Sequence, residues 1–126
     1  MWRIYRNNPA GRSVEDCTVR ALSKALNLSW DEAHYELSEA SRDMATMMHD
    51  NSVIGAILRK NGFYRYAISN MCPDCYTVRE FAEDHPVGTY VVGTGTHVVT
   101  VKDGDWYDSW DSGNEIPVYY WSRKVK

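Results

Sequence analysis

No run in this sequence comes near the roughly 20 consecutive apolar residues that a helix needs to cross a bilayer, which excludes a helical membrane span. The opening residues, Met1-Trp2-Arg3-Ile4-Tyr5-Arg6, lack the apolar core of a secretory signal, so a cytoplasmic site of action is expected. An excess of positive charge is missing as well. The 14 Lys and Arg against 17 Asp and Glu leave a net charge of −3. That balance argues against a surface that tracks phosphates, and no nucleic-acid partner is expected. The only basic cluster, Arg123-Lys124-Lys126, reads as a solvated tail. Cysteine is scarce: three residues, an odd number, do not make a disulfide framework, and at least one thiol is expected to be free. Repeats, linkers and low-complexity segments are absent. The 126 residues, 44% apolar and 25% charged, suit one globular domain spanning residues 1–126. Five Trp and nine Tyr supply much of the buriable area.

The first half is predicted helical and the last third strand-forming. Ser13 with Asp16 resembles a capping box, and Asp16 is itself a candidate N-cap. Either start gives a helix to about Leu26, with Cys17, Ala21, Leu22 and Ala25 on one stripe. Ser29 and Glu32 form a better box and open a second helix, expected to run to about Met47. A third carries Val53, Ile54, Ile57 and Leu58 and stops at Asn61-Gly62. Phe63 to Ser69 reads as a strand. Thr77 and Glu80 cap a helix over Val78 to Asp84, which Pro86 closes off. Strands are then expected at Thr89–Thr94, Thr96–Lys102, Asp105–Trp110 and Pro117–Trp121. Helices followed by a meander predict an α+β fold.

Cys17 opens the first helix, where unpaired N–H groups and the helix dipole favour a thiolate. Position alone favours the plainer reading, a small buried thiol. The Asp103-Gly104 pair between two strand-like runs is more informative, because it signals a two-residue type I′ turn. That register pairs Val101 with Trp106, Val99 with Asp108 and His97 with Trp110, all on one face. The opposite face, including Val98, Thr100 and Tyr107, is expected to be the wetter one. A carboxylate among Trp and Val is costly unless paired. Asp108 lies diagonal to His97 at a Cβ separation on the order of 6–8 Å, within reach of an acid that orients a histidine base. A three-residue loop would instead put Asp111 opposite His97; the two-residue turn favours Asp108. Trp110 and Trp121 are candidate cleft walls, although aromatics in a small sheet are more often core.

These pieces together resemble the papain-like cysteine peptidases. A Cys at an early helix start (Asp16-Cys17), a His opening a strand (Gly95-Thr96-His97-Val98-Val99) and an Asp on the next strand (Tyr107-Asp108-Ser109-Trp110) follow that family's chain order. The likeness is greatest to compact members, such as bacteriocin-processing peptidases and small phage-encoded relatives. It implies helices packed on a C-terminal antiparallel sheet, with Cys17 as nucleophile, His97 as general base and then acid, and Asp108 as its orienter. The implied substrate is a protein or peptide carrying an amide, isopeptide or thioester bond; no metal and no cofactor is implied. The family usually supplies a Gln upstream of the Cys as an oxyanion donor, and this sequence contains no Gln. Asn7 or Asn8 offers the equivalent amide N–H₂, with Asn8 the candidate substitute.

Two other readings stay open: a catalytically silent papain-shaped module that binds a host or phage protein, and a redox or zinc protein built on Cys72-Pro73-Asp74-Cys75. A helix starting at Thr77 leaves Cys72 in a loop rather than at a helix end, against glutaredoxin-like chemistry. As zinc ligands the pair is half a set, since His34, His49 and His85 lack matching spacing. Two loop thiols are the expectation there.

Overall fold

The computed structural model describes residues 1–69 and 75–123. Four helices and a six-stranded mixed sheet make an α+β fold, in the order β1 (Trp2–Ile4), α1 (Cys17–Leu26), α2 (Trp30–Asp43), α3 (Asn51–Lys60), β2 (Phe63–Ala67), α4 (Val78–Asp84), β3 (Thr89–Gly93), β4 (Val98–Lys102), β5 (Asp105–Asp108) and β6 (Tyr119–Arg123). Local chemistry accounts for most boundaries. Ser29 and Glu32 form the reciprocal capping box at α2, and the Thr77 hydroxyl accepts the Glu80 N–H at α4. Asp50 caps α3, and Gly62 (φ 87°) supplies the left-handed residue after it. Two expectations need correction. Asp16 does occupy the N-cap position of α1, but it makes no side-chain capping bond, its carboxylate being committed to Arg20 and Trp30. Helix α2 ends at Asp43 rather than Met47, and Ala45 turns the chain with φ 55°.

The sheet order is β1-β5-β4-β3-β6-β2, antiparallel except where β1 pairs parallel with β5. Asp103 (φ 49°) and Gly104 (φ 84°) are both left-handed, as a type I′ turn requires, and the ladder pairs Lys102 with Asp105 and Val101 with Trp106. The expected two-residue register therefore holds. Strand β1 was not expected; it is three residues long, and its partner is remote in sequence.

Both faces of the central strands are covered. On one face, α1, α2 and α3 bury Leu22, Leu37, Ile54 and Leu58 against Val91, Val98 and Trp121. On the other, Phe81 and Ala82 of α4 pack on Val92, Val99, Val101 and Trp106. Each such large apolar side chain contributes about 1.5–3 kcal/mol. The face expected to be wet is thus a correction: Val98 and Thr100 lie under α1, and the Thr100 hydroxyl donates to the Ala21 carbonyl at 2.7 Å. Covering on both sides is why β3 and β4 carry runs of Val rather than alternation. No helix among the described residues is long and apolar enough to cross a membrane.

Candidate active site

Three elements converge at one end of the sheet. Helix α1 begins at Cys17, His97 immediately precedes β4, and Asp108 is the last residue of β5. The sequence-predicted trio is brought together. Nε2 of His97 donates to Oδ2 of Asp108 at 2.6 Å, and the imidazole also hydrogen-bonds the Cys17 sulfur. With Nε2 committed to Asp108, Nδ1 is the nitrogen left for the thiol. The backbone N–H of Val98 donates to the same sulfur. Trp110, 45% exposed, leans on His97 with ring centroids 5.0 Å apart and walls the site rather than the core. Trp121 is buried under α3. An open cleft of about 1250 Å³ runs past Cys17, His97 and Trp110, and His49 and Asn51 also line it.

Asp108 is fully buried and its two oxygens accept four hydrogen bonds, enough to use its lone pairs. Oδ2 takes His97 and the Ser112 hydroxyl (2.6 Å); Oδ1 takes Arg20 Nη2 (2.9 Å) and the Ser109 N–H (2.8 Å). Arg20, 6% exposed, forks to Asp16 with its other terminal nitrogen, and Asp16 in turn accepts the Trp30 indole N–H at 2.9 Å. A continuous polar chain therefore runs Trp30–Asp16–Arg20–Asp108–His97–Cys17. Arg20 neutralises the acid next to the thiol and anchors the acid behind the histidine.

These contacts set the protonation states. Burial pushes the Cys17 thiol up, but the His97 hydrogen bond, the Val98 N–H and the positive charges of His97 and Arg20 outweigh it, leaving the pKa below that of a free thiol. Burial likewise pulls His97 down, yet Asp108 and Cys17 raise it to about 9. Burial pushes Asp108 up, and His97, Ser112 and Arg20 bring it below the usual carboxylate range. The contacts act in one direction: His97 and Arg20 favour the thiolate form of Cys17, and Asp108 and Cys17 favour the imidazolium form of His97.

The other candidates fall elsewhere. Asn8 does not line the cleft: its Oδ1 accepts the Ala10 and Arg12 N–H groups in a loop, and it lines an adjoining pocket that shares Asp16, Arg20 and Ser109 with the cleft. Asn7 donates to Ser23. Asn51 is the only side-chain amide among the described residues lining the cleft. Asp111 accepts the Trp106 indole and Gly113 N–H groups, so Asp108 alone of the two holds His97. Cys17 is a free thiol, whereas Cys75 is disulfide-bonded, which corrects the expectation of two loop thiols; Cys72 lies outside the described residues. Among the described residues no three His, Cys, Asp or Glu side chains are grouped to hold a metal. Sequence reasoning missed Arg20 and Ser112. Asp16 and Arg20 stand at i,i+4, a spacing ordinarily read as a surface pair, and nothing in the sequence marks Ser112. Comparison of the chain with family models, with curated proteins and with solved structures finds no match.

Proposed function

We propose that this chain is a papain-like cysteine hydrolase that cleaves or transfers at an amide, isopeptide or thioester carbonyl of a protein or peptide. The observation that carries the reading is the buried Asp108 fixing Nε2 of an imidazole that also hydrogen-bonds a free thiol at a helix start. Buried structural His–Asp pairs are common, but one whose other partner is a thiol in an open cleft is poised for acyl transfer. The Cys17 thiolate attacks the carbonyl carbon. The oxyanion that forms is met by the Cys17 N–H, one of the first-turn donors without an intrahelical acceptor. His97 then gives its proton to the departing amine, or to the thiol of a thioester, as the C–N or C–S bond breaks. A water, deprotonated by the now neutral His97, attacks the Cys17 acyl-thioester and restores the thiol and the acid product. Another nucleophile in the water's place would give transfer.

The test is the pH dependence of iodoacetamide alkylation at Cys17, read by mass spectrometry. Cys17 is expected to react well below the roughly 8.5 of a free thiol, and His97→Ala to return it to that range. Asp111→Asn is expected to leave the profile unchanged. A wild-type Cys17 that titrates like a free thiol, or is inert, refutes the reading and leaves the fold as a binding module.

A further inference from the structure

Beside the cleft, and sharing Asn51 with it, lies a second concavity of about 410 Å³. Its floor is made by two nearly buried rings of β6, Tyr119 and Trp121. A guanidinium stands over each: Arg65 at 4.4 Å from the Tyr119 centroid, and Arg59 at 5.4 Å from that of Trp121. The ladder explains the placement. Arg65 of β2 is the direct partner of Trp121, so it emerges on the helix-covered face, where Arg59 reaches in from the last turn of α3. No acidic side chain lines this concavity, and neither arginine is ion-paired among the described residues. In a protein of net charge −3, this is an unneutralised positive pocket.

Its distance from the thiol follows from the sheet. Val98, whose N–H meets the Cys17 sulfur, pairs with Gly93, and Gly93 pairs with Tyr119. The Tyr119 ring lies across Gly93, where a Cβ would overlap it, so it spans the row from β6 toward β4. At about 5 Å per strand, the two steps from Val98 to Tyr119 put the residue whose ring the Arg65 guanidinium covers on the order of 10 Å from the sulfur, which about three residues of extended peptide cover. The Tyr119 phenol registers both neighbours: burial raises its pKa, Arg65 lowers it and Cys17 raises it. Its hydroxyl is buried without a hydrogen-bond partner.

A guanidinium stacked on a ring has one face desolvated and its N–H fork held, the arrangement that suits bidentate capture of a carboxylate. Building on the hydrolase reading, we propose that the Arg59–Arg65 concavity is a substrate subsite that selects a carboxylate, an acidic side chain or a chain terminus, about three residues from the scissile bond.

The test uses fluorescein-labelled Gly/Ala octapeptides with one Glu walked along the chain, matched Gln peptides, and a Glu-free peptide with either a free or an amidated C-terminus. Binding to the Cys17→Ala protein is read by fluorescence anisotropy, and cleavage by the wild type is read by mass spectrometry. At least one carboxylate peptide is expected to bind about tenfold tighter than its neutral match. Preference for Glu assigns the site to a side chain; preference for the free acid alone assigns it to a terminus. Either preference should vanish in Arg65→Ala/Arg59→Ala and turn toward Lys peptides in Arg65→Glu. Equal binding of charged and neutral peptides, no binding of either, or a preference that survives loss of both arginines overturns the subsite. Selective binding without cleavage, together with an unreactive wild-type Cys17, overturns the hydrolase reading instead.

Discussion

Replacing Arg20 with Met isolates the one cation on which the buried polar chain depends. Methionine keeps most of the aliphatic stem, so packing is largely preserved and the loss is electrostatic. In the wild type the guanidinium lies between two carboxylates, with side-chain exposures of 7% for Arg20, 1% for Asp108 and 10% for Asp16. Removing it leaves two acids facing each other with only His97 to offset them. At an effective dielectric of about 20, one ion pair near 4 Å is worth about 4 kcal/mol. That agrees with the roughly 3–5 kcal/mol lost when one member of a buried pair is deleted. Set against a typical total of about 5–15 kcal/mol, the variant should be marginal, with a urea midpoint lower by roughly 2 M. The deficit should narrow at acid pH, as Asp108, held below the usual carboxylate range by His97, Ser112 and Arg20, takes up its proton. Arg20→Lys keeps the charge but loses the fork and should recover only part of the loss. Alkylation of Cys17 should also move to higher pH, because Arg20 is one of the charges holding the thiolate. A loss below about 1 kcal/mol, the level of an exposed pair, would refute the reasoning.

Two further outcomes follow from the site and the sheet. The His97 pKa lies near 9, above its free value of 6.5, so its stabilising contribution is complete below about pH 6.5 and lost as pH rises through about 9; urea midpoints of wild type and His97→Ala should converge across that window, and a gap that stays constant from pH 6 to 10 contradicts the ion pair. Gly93→Ala places a methyl inside the Tyr119 ring and should cost about 1–3 kcal/mol of overpacking, seen as a melting temperature lower by roughly 3–10 °C; an unchanged melting temperature would mean the ring is free to move aside.

What could be read in advance was whatever is encoded locally. Asp103-Gly104 fixes its own turn, and that turn alone sets the parity that puts Asp108 rather than Asp111 behind His97. Ser29–Glu32 and Thr77–Glu80 likewise carry their helix starts within a few residues. The failures are contacts between distant segments. The wetness of the Thr100 face depends on where α1 lies, and nothing in the hairpin records that. Arg20 looks like half of a surface pair until Asp108, 88 residues away, closes over it. Asn8 has the chemistry of an oxyanion donor, but its loop places it outside the lining of the cleft that holds Cys17 and His97. Strand β1 is too short to show a period, and it exists only because β5 offers an edge.

That last pairing bears on how the chain comes together in time. Strand β1 ends at Ile4, and its partner β5 begins at Asp105. Closing a loop of about a hundred residues costs about 4 kcal/mol of chain entropy by its length alone, and parallel pairing of such remote segments is slow to form. At about 5–20 residues per second, synthesis separates the two strands by several seconds. During that interval Cys17 and Arg20 already lie on the emerging chain, but His97 and Asp108 do not. On the hydrolase reading proposed above, the thiol is made early and armed late: its reactivity would appear only in a chain whose sheet has closed, sparing the unfinished polypeptide a nucleophile of its own.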